Sequence, residues 1–229
     1  MKTIFRFLNW SGGKDAALAL WYLQKNGIEV NTLLTTYNEQ SNTIPLHEIP
    51  IKLIEEQANA LGLPLFKIGL PANCDNETYH KIMLSQLGNL APAQQKVAVF
   101  GDIFLEDIRA FREQQLNKLG IVSEFPLWHI NTKTFAETFI NQGFRAMICS
   151  ASAKFFPKNI IGKIYDEHFL TTLPPDVDPC GENGEFHSFV FDGPIFEKPI
   201  DFPEVQEIKS MDYGNPKSDF SQKFFYADF

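Results

Sequence analysis

The tightest constraint on this chain lies near its start. Residues 3–9, TIFRFLN, are rich in β-branched and aromatic side chains, and AALALWYL (16–23) is an unbroken apolar segment. Between them stands Ser11-Gly12-Gly13-Lys14-Asp15, just after Trp10. A strand that turns into a helix across two glycines belongs to the open α/β architecture, where ligands sit beyond the carboxyl ends of parallel strands. Gly12 and Gly13 permit positive φ and let a ligand approach the backbone with no Cβ in the way. Their N–H groups and those of the first helical turn carry the positive end of the helix dipole. Lys14 adds a full charge and Ser11 a hydroxyl, a nest suited to pyrophosphate. The stretch is neither a Walker loop nor a Gly-x-Gly-x-x-Gly fingerprint.

The rest of the first half repeats the pattern. Gly27 is placed to end the helix over 14–26 as a left-handed cap. The order continues with a strand over 28–37, a helix from about His47 to Leu61, a strand ending at Leu70 and a polar helix around 75–88. A strand over 96–101 follows, and then Leu105, Ile108, Phe111, Leu116 and Leu119 form one apolar stripe of a helix ended by Gly120. Repeated β–α–β units predict a parallel sheet covered on both faces. Beyond Pro126 the rhythm changes: a helix over 132–142, a strand over 144–151, irregular Pro- and Gly-rich chain, then strands over 184–191 and near KFFYAD at the end. The expected fold is α/β, a doubly wound, mostly parallel sheet, with a smaller C-terminal α+β lobe.

Composition limits the function classes. A hydrophobic share of 44% in 229 residues supports a buried core, and no apolar run is long enough to span a bilayer. A net charge of −8 argues against binding a phosphate backbone, so neither nucleic acid nor membrane is expected as a partner. Around Lys2 and Arg6 nothing resembles a signal peptide. Cys74, Cys149 and Cys180 are scattered, without Cys-x-x-Cys, which favours neither zinc nor disulfides and suggests a reducing cytoplasm. Cys180 reads as a packed thiol.

A second cluster lies at Gly181-Glu182-Asn183-Gly184-Glu185, followed by Phe186, His187 and Ser188. Two carboxylates three residues apart can hold Mg²⁺, orient an ammonium ion or take its proton. On a strand over 184–191, Glu185 and His187 would share a face. Gly101-Asp102 ends a strand, where Asp102 either contacts a ligand or caps the next helix. Thr35 and Thr36 end another strand, where a base or ribose would lie. His47 is either a surface or capping residue or a substrate contact. Trp128 is expected between the lobes.

Ser-Gly-Gly-Lys-Asp directly after the first strand resembles the PP-loop of the ATP pyrophosphatases, which split ATP between the α- and β-phosphates. Residues 178–196, DPCGENGEFHSFVFDGPIF, resemble the C-terminal motif of the diphthine–ammonia ligase family, N-type ATP pyrophosphatases with a motif close to Gly-Glu-Gly-Gly-Glu. GDIFLEDIRAFRE (101–113) and FPLW (125–128) extend the resemblance, which runs in order from residue 3 to about 196. This chain carries Ala16 where most PP-loops have Ser, Asn183 where the ligase motif has Gly, and His187-Ser188 where a Glu/Thr-type pair is usual, like the bacterial-type relatives.

The resemblance implies an ATP-binding domain over 1–125 and an acceptor lobe over 126–229. It implies an amide-forming ligase that uses ATP and Mg²⁺ to adenylate a carboxylate, free or on a protein, and then transfers ammonia or an amine to it. Ser11, Gly12, Gly13, Lys14, Asp15, Thr36 and Gly101 would bind ATP, and Lys14, Glu182 and Glu185 would be catalytic. His47, Asp102, Asn183 and His187 would meet the substrate, and Asp15 and Glu182 would hold the metal. A homodimer is among the expected states. The alternatives are the same chemistry on a small-molecule carboxylate and a non-catalytic adenine-nucleotide sensor.

Overall fold

The computed structural model describes residues 3–72, 74–91, 93–201, 204–214 and 221–229. Its first half alternates β1 (Ile4–Asn9), α1 (Lys14–Lys25), β2 (Thr32–Asn38), α2 (Ile51–Ala60), β3 (Leu65–Leu70), α3 (Asn76–Asn89), β4 (Gln95–Val99), α4 (Glu106–Asn117) and β5 (Val122–Glu124). These strands form a five-stranded sheet in the order β3-β2-β1-β4-β5, parallel at each pairing. The chain winds outward from β1 and then crosses to β4, so the topological switch point lies between β1 and β4.

Strand composition explains the layering. Phe7 and Leu8 of β1 are both buried but belong to opposite sides, as do Leu34 and Leu33 of β2 and Ala98 and Val99 of β4. Near-continuous apolar strands are what two covered faces require. On the Leu8 side lie α1 and α2; on the Phe7 side lie α3 and α4, whose residues Leu87 and Leu116 join that core.

The second half supplies α5 (Thr132–Asn141), β6 (Arg145–Ser152), the short α6 (Glu167–Thr171), β7 (Phe186–Asp192), β8 (Glu207–Gly214) and β9 (Ser221–Asp228). Its four strands form an antiparallel sheet in the order β7-β6-β9-β8. This smaller lobe packs on the α1 side, and Phe135, Phe139, Ile148 and Phe189 share one core with Leu8, Leu18 and Leu20. That shared burial explains why α1 is apolar nearly all round: Ala16 through Leu20 are each at most 4% exposed. Among the described residues no helix is long and apolar enough to cross a membrane.

Several expectations need correcting. The second helix begins at Ile51 rather than near His47, with Pro50 as its N-cap, and His47 sits in a turn before it. β8 was not foreseen: its sequence EIKSMDYG alternates too weakly to stand out. The stripe of α4 is not buried, since only its Leu116 is covered while Ile108 and Phe111 are 41% and 47% exposed. Trp128 packs its ring against Phe125 and the Arg109 guanidinium, and it is Leu127 that enters the core.

One buried side chain locks the glycine turn between the lobes. Gln57 of α2 is fully buried; its Oε1 accepts from Trp10 Nε1 at 2.7 Å, and its Nε2 donates to Gly12 O at 3.0 Å and Val190 O at 2.6 Å. An orphaned buried polar group costs about 1–3 kcal/mol. Gln57→Leu strands the indole N–H and two carbonyl contacts, so urea unfolding should show a loss of roughly 3 kcal/mol. A loss below about 1 kcal/mol would mean that water restores the clamp.

Candidate active site

The glycine turn is bent by its own backbone. Gly12 has φ +82°, and a Cβ there would lie 2.6 Å from Ile54 Cδ1. The turn is also tied to the second lobe: Val190 N donates to Gly12 O at 2.9 Å, and Lys14 N donates to Ser188 Oγ at 3.2 Å. Ser188, which sequence reasoning noted only as a departure, thus offers an oxygen to a nest donor. Gly13 N reaches Ser11 Oγ at 3.4 Å.

Lys14 runs inward beneath the turn. It is 2% exposed, with Nζ 3.0 Å from each Asp15 carboxylate oxygen and 5.5 and 5.9 Å from the Phe186 and Phe135 ring centres. Burial opposes its charge, but the carboxylates of Asp15 and, farther off, Glu182 outweigh that and hold Lys14 above its ordinary range. It is a fixed cation under the loop.

At the carboxyl edge of the sheet a cleft of about 260 Å³ opens over the switch point. Ser11, Asp15, Thr35, Thr36, Gly101, Asp102 and Glu182 all line it, with Tyr79 and Arg112 opposite. Thr35 Oγ1 is buried there without a hydrogen-bond partner among the described residues, as a group reserved for a ligand would be. Ala16 lines the cleft where a hydroxyl would otherwise stand. Gly101 also has a packing reason: a Cβ on it would lie 2.8 Å from the Asp15 carbonyl carbon, so the glycine lets β4 approach the start of α1.

The 181–185 loop divides its two carboxylates. Glu182 reaches across the lobes, where its Oε1 accepts from Ile103 N at 2.9 Å. Burial, with the Asp15 charge adding to it, pushes its carboxyl up to about 7. Glu185 turns inward and is 1% exposed: Oε1 accepts from Asp178 N and Asn183 Nδ2, and Oε2 from Asn183 N. It shapes the loop and does not reach the cleft, and the exposed Asn183 serves that loop with it. Glu185 precedes β7, so the expected Glu185–His187 pair does not form.

His187 instead meets His47, with ring centres 4.5 Å apart. The turn holding His47 is strained: Asn42, Leu46 and Glu48 have φ of 55°, 68° and 54°. Glu48 holds it in place by accepting from Thr43 Oγ1 at 3.1 Å and from Tyr213 Oη of β8. Burial, with a contribution from the Lys14 charge, pushes His47 down to about 4. Burial, His47 and Lys14 together hold His187 well below its ordinary value. Both rings are neutral near pH 7, and His47 Nε2 lies 3.4 Å from where a Gly13 Cβ would stand.

Asp102 is not a helix cap, since Leu105 holds that place. It pairs with Arg112, Nε to Oδ2 at 2.9 Å, and burial raises its carboxyl against the pull of Arg112. Sequence reasoning missed Arg112 and Tyr79; the signal for Arg112 was its place ten residues beyond Asp102 in GDIFLEDIRAFRE. Cys180 is a packed thiol, fully buried, with Sγ 3.1 Å from Thr132 O.

With both lobes contributing to one cleft, the family matches fall into place. Residues 1–123 match the diphthamide synthase N-terminal domain and 131–218 the diphthamide synthase C-terminal domain. The chain belongs to the diphthamide synthase family. It is 25% identical over 219 residues to a diphthine–ammonia ligase of Schizosaccharomyces pombe, covering 87% of this chain and 36% of that one. It is also 25% identical over 213 residues to a diphthine–ammonia ligase of Homo sapiens, covering 83% and 79%. The chain thus spans about a third of the length of the yeast relative and most of the human one.

The Glu182 shift fixes a pH dependence. Between its ordinary 4.5 and about 7, the folded protein holds a proton that the unfolded chain has released, so this group's contribution to stability declines as pH rises through that window. Glu182→Gln keeps the acceptor for Ile103 N and removes the buried charge. At pH 8 it should be more stable than the parent, on the order of 2 kcal/mol after discounting for partial exposure, and equal to it at pH 4.5. Thermal melts of both proteins at the two pH values test this; equal melts at pH 8 would place the carboxyl near its ordinary value.

Proposed function

We propose that this chain is an ATP-dependent, amide-forming ligase that makes an acyl-adenylate and transfers ammonia or an amine to it. The observation that carries this reading is a cleft lined by Ser11 and Asp15, the two ends of the glycine turn in one lobe, and by Glu182 of the other. A nucleotide held by Ser11, Gly12 and Gly13, with Thr35 and Thr36 toward the base and ribose, would direct its α-phosphate along the switch point. A carboxylate oxygen attacks the α-phosphorus, the bond to the bridging β-oxygen breaks, and pyrophosphate leaves with that electron pair. Ammonia nitrogen then attacks the acyl carbon, AMP leaves, and one proton is given up.

Each residue has a role that its surroundings support. Lys14, fixed and charged beneath the turn, offsets charge as pyrophosphate separates. Glu182, with a carboxyl near 7, is matched to take a proton from the nitrogen as ammonia adds to the acyl carbon at neutral pH. Glu185 and Asn183 are positioning residues that hold the loop presenting Glu182. His47 is assigned to the phosphates through the closeness of its Nε2 to Gly13, with His187 packed against it.

Among the described residues no three His, Cys, Asp or Glu side chains converge as a metal site. Mg²⁺ commonly uses only one or two carboxylates together with substrate phosphates, and Asp15 and Glu182 in the cleft fit that pattern. Bound there, it would neutralise phosphate charge. We place the reaction in the cytoplasm, consistent with three free cysteines, with 1–125 binding ATP and 126–229 presenting the acceptor. The relatives are named for diphthine; here the His187-Ser188 and Asn183 departures leave the acceptor open to other carboxylates.

The test is incubation with ATP, Mg²⁺, ammonium and candidate carboxylic acids, followed by separation of the nucleotides. AMP and pyrophosphate are expected, and Lys14→Ala should lower the rate ~10²–10³-fold. ADP and phosphate would exclude the adenylating class. Tight nucleotide binding without turnover would favour the sensor.

A further inference from the structure

A second cavity, of about 370 Å³, lies between α3 and α4 on the Phe7 side of the sheet. That size is within the range of pockets that hold small organic ligands, roughly 300–1,000 Å³. Met83, Leu84, Leu87, Ile108, Phe111 and Leu119 supply its apolar walls. Leu84, Ile108 and Phe111 are each more than 40% exposed, so three large apolar side chains of two neighbouring helices face one open groove. Asn9, Tyr79, Phe100 and Arg112 line both this groove and the nucleotide cleft. The two spaces are therefore adjacent compartments meeting at the switch point.

Their junction is charged and the groove is not. Arg112 lies 4.4 Å above the Phe100 ring and is held by Asp102. Among the described residues no carboxylate lines the groove, whose other titratable side chains are Tyr79 and His80. A ligand that fits has an apolar body and an anionic head facing the cleft, where Arg112 can share its guanidinium between Asp102 and that head; a cationic body would find no carboxylate among the described groove residues.

We propose that this groove binds the apolar body of the acceptor, which is a small monocarboxylic acid with a hydrocarbon or aryl body. The proposal rests on the ligase reading and names its substrate class. The body lies between α3 and α4, and Arg112 steers the carboxylate into the cleft, where its oxygen meets the α-phosphorus. Asp102 acts through Arg112 and is a positioning residue.

The test uses the whole chain and straight-chain acids from acetate to octanoate. Octanoate binding is measured by calorimetry with α,β-methylene ATP present, and AMP and pyrophosphate are measured with ATP, Mg²⁺ and ammonium. Octanoate should bind, and kcat/KM should rise about fourfold per added CH₂ until the groove is full. Phe111→Asp should flatten that dependence while leaving affinity for the ATP analogue within about twofold. Leu84→Trp should block octanoate more than acetate, a second check at another exposed position.

Octanoate binding that Phe111→Asp abolishes, without AMP formation by the parent, would support the groove and overturn the ligase reading. AMP formation with no chain-length dependence, or only with a protein acceptor, would overturn the groove and leave the ligase reading intact. Loss of ATP-analogue affinity in Phe111→Asp would mean that the groove holds the base instead, which also overturns the proposal.

Discussion

The carbonyl of Gly12 is the point on which the two lobes agree. It accepts one hydrogen bond from Gln57 of the first lobe and one from Val190 of the second. Because this carbonyl is turned toward protein, the opposite side of the turn is left for a ligand. The positive φ of Gly12 makes that orientation affordable, and the crowding by Ile54 and Gln57 excludes any larger residue. A glycine turn that floated on a loop would hold no fixed order of its own. Here it is a piece of the core, with Trp10, Gln57 and Lys14 all buried beneath it.

Much of this was legible in the sequence because it rests on local patterns. The strand–glycine–helix junction, the alternation up to α4 and the Gly27 cap follow from residue type and spacing, whereas the three-residue β5 does not. Gly27 indeed has φ +68°. What escaped was set by contacts distant in sequence. Nothing local announces that Glu182 lines the cleft and reaches Ile103 N while Glu185 is held by Asp178 and Asn183. Nor does the spacing of Ile108 and Phe111 tell an apolar stripe that meets a sheet from one that borders a groove. His47 was placed by a helix pattern that begins four residues later, since strained turns with φ above zero carry no periodic signature.

Two of the departures from the family pattern are neighbours on β7, while Ala16 stands at the start of α1. His187 and Ser188 lie side by side on β7, and alternation sends them different ways: Ser188 to Lys14 N, His187 to His47. His47 is held there by Glu48, and Glu48 by Tyr213 of β8, so the C-terminal hairpin braces the turn. β7, the loop after β2 and β8 are thus linked through His187, His47, Glu48 and Tyr213.

Charge ties the site together. Asp15, Asp102 and Glu182 line the nucleotide cleft, against Arg112 on its wall and Lys14 beneath its floor. Arg112 is committed to Asp102 and Lys14 to Asp15. Glu182 is left without a cation of its own, which is why burial and Asp15 can lift its carboxyl to about 7. A triphosphate entering this cleft brings several further negative charges and no partner for them. At short range, like charges in a partly dry site repel by several kcal/mol, roughly 4 kcal/mol per pair at 4 Å. Either Glu182 takes up a proton or a divalent cation comes in with the phosphates. On the proposed reading, the first would occupy the carboxylate that is to take the nitrogen's proton, and the second leaves it free. On that reading the carboxylate that disfavours bare ATP favours the metal complex as the form that binds, although among the described residues no three His, Cys, Asp or Glu side chains converge.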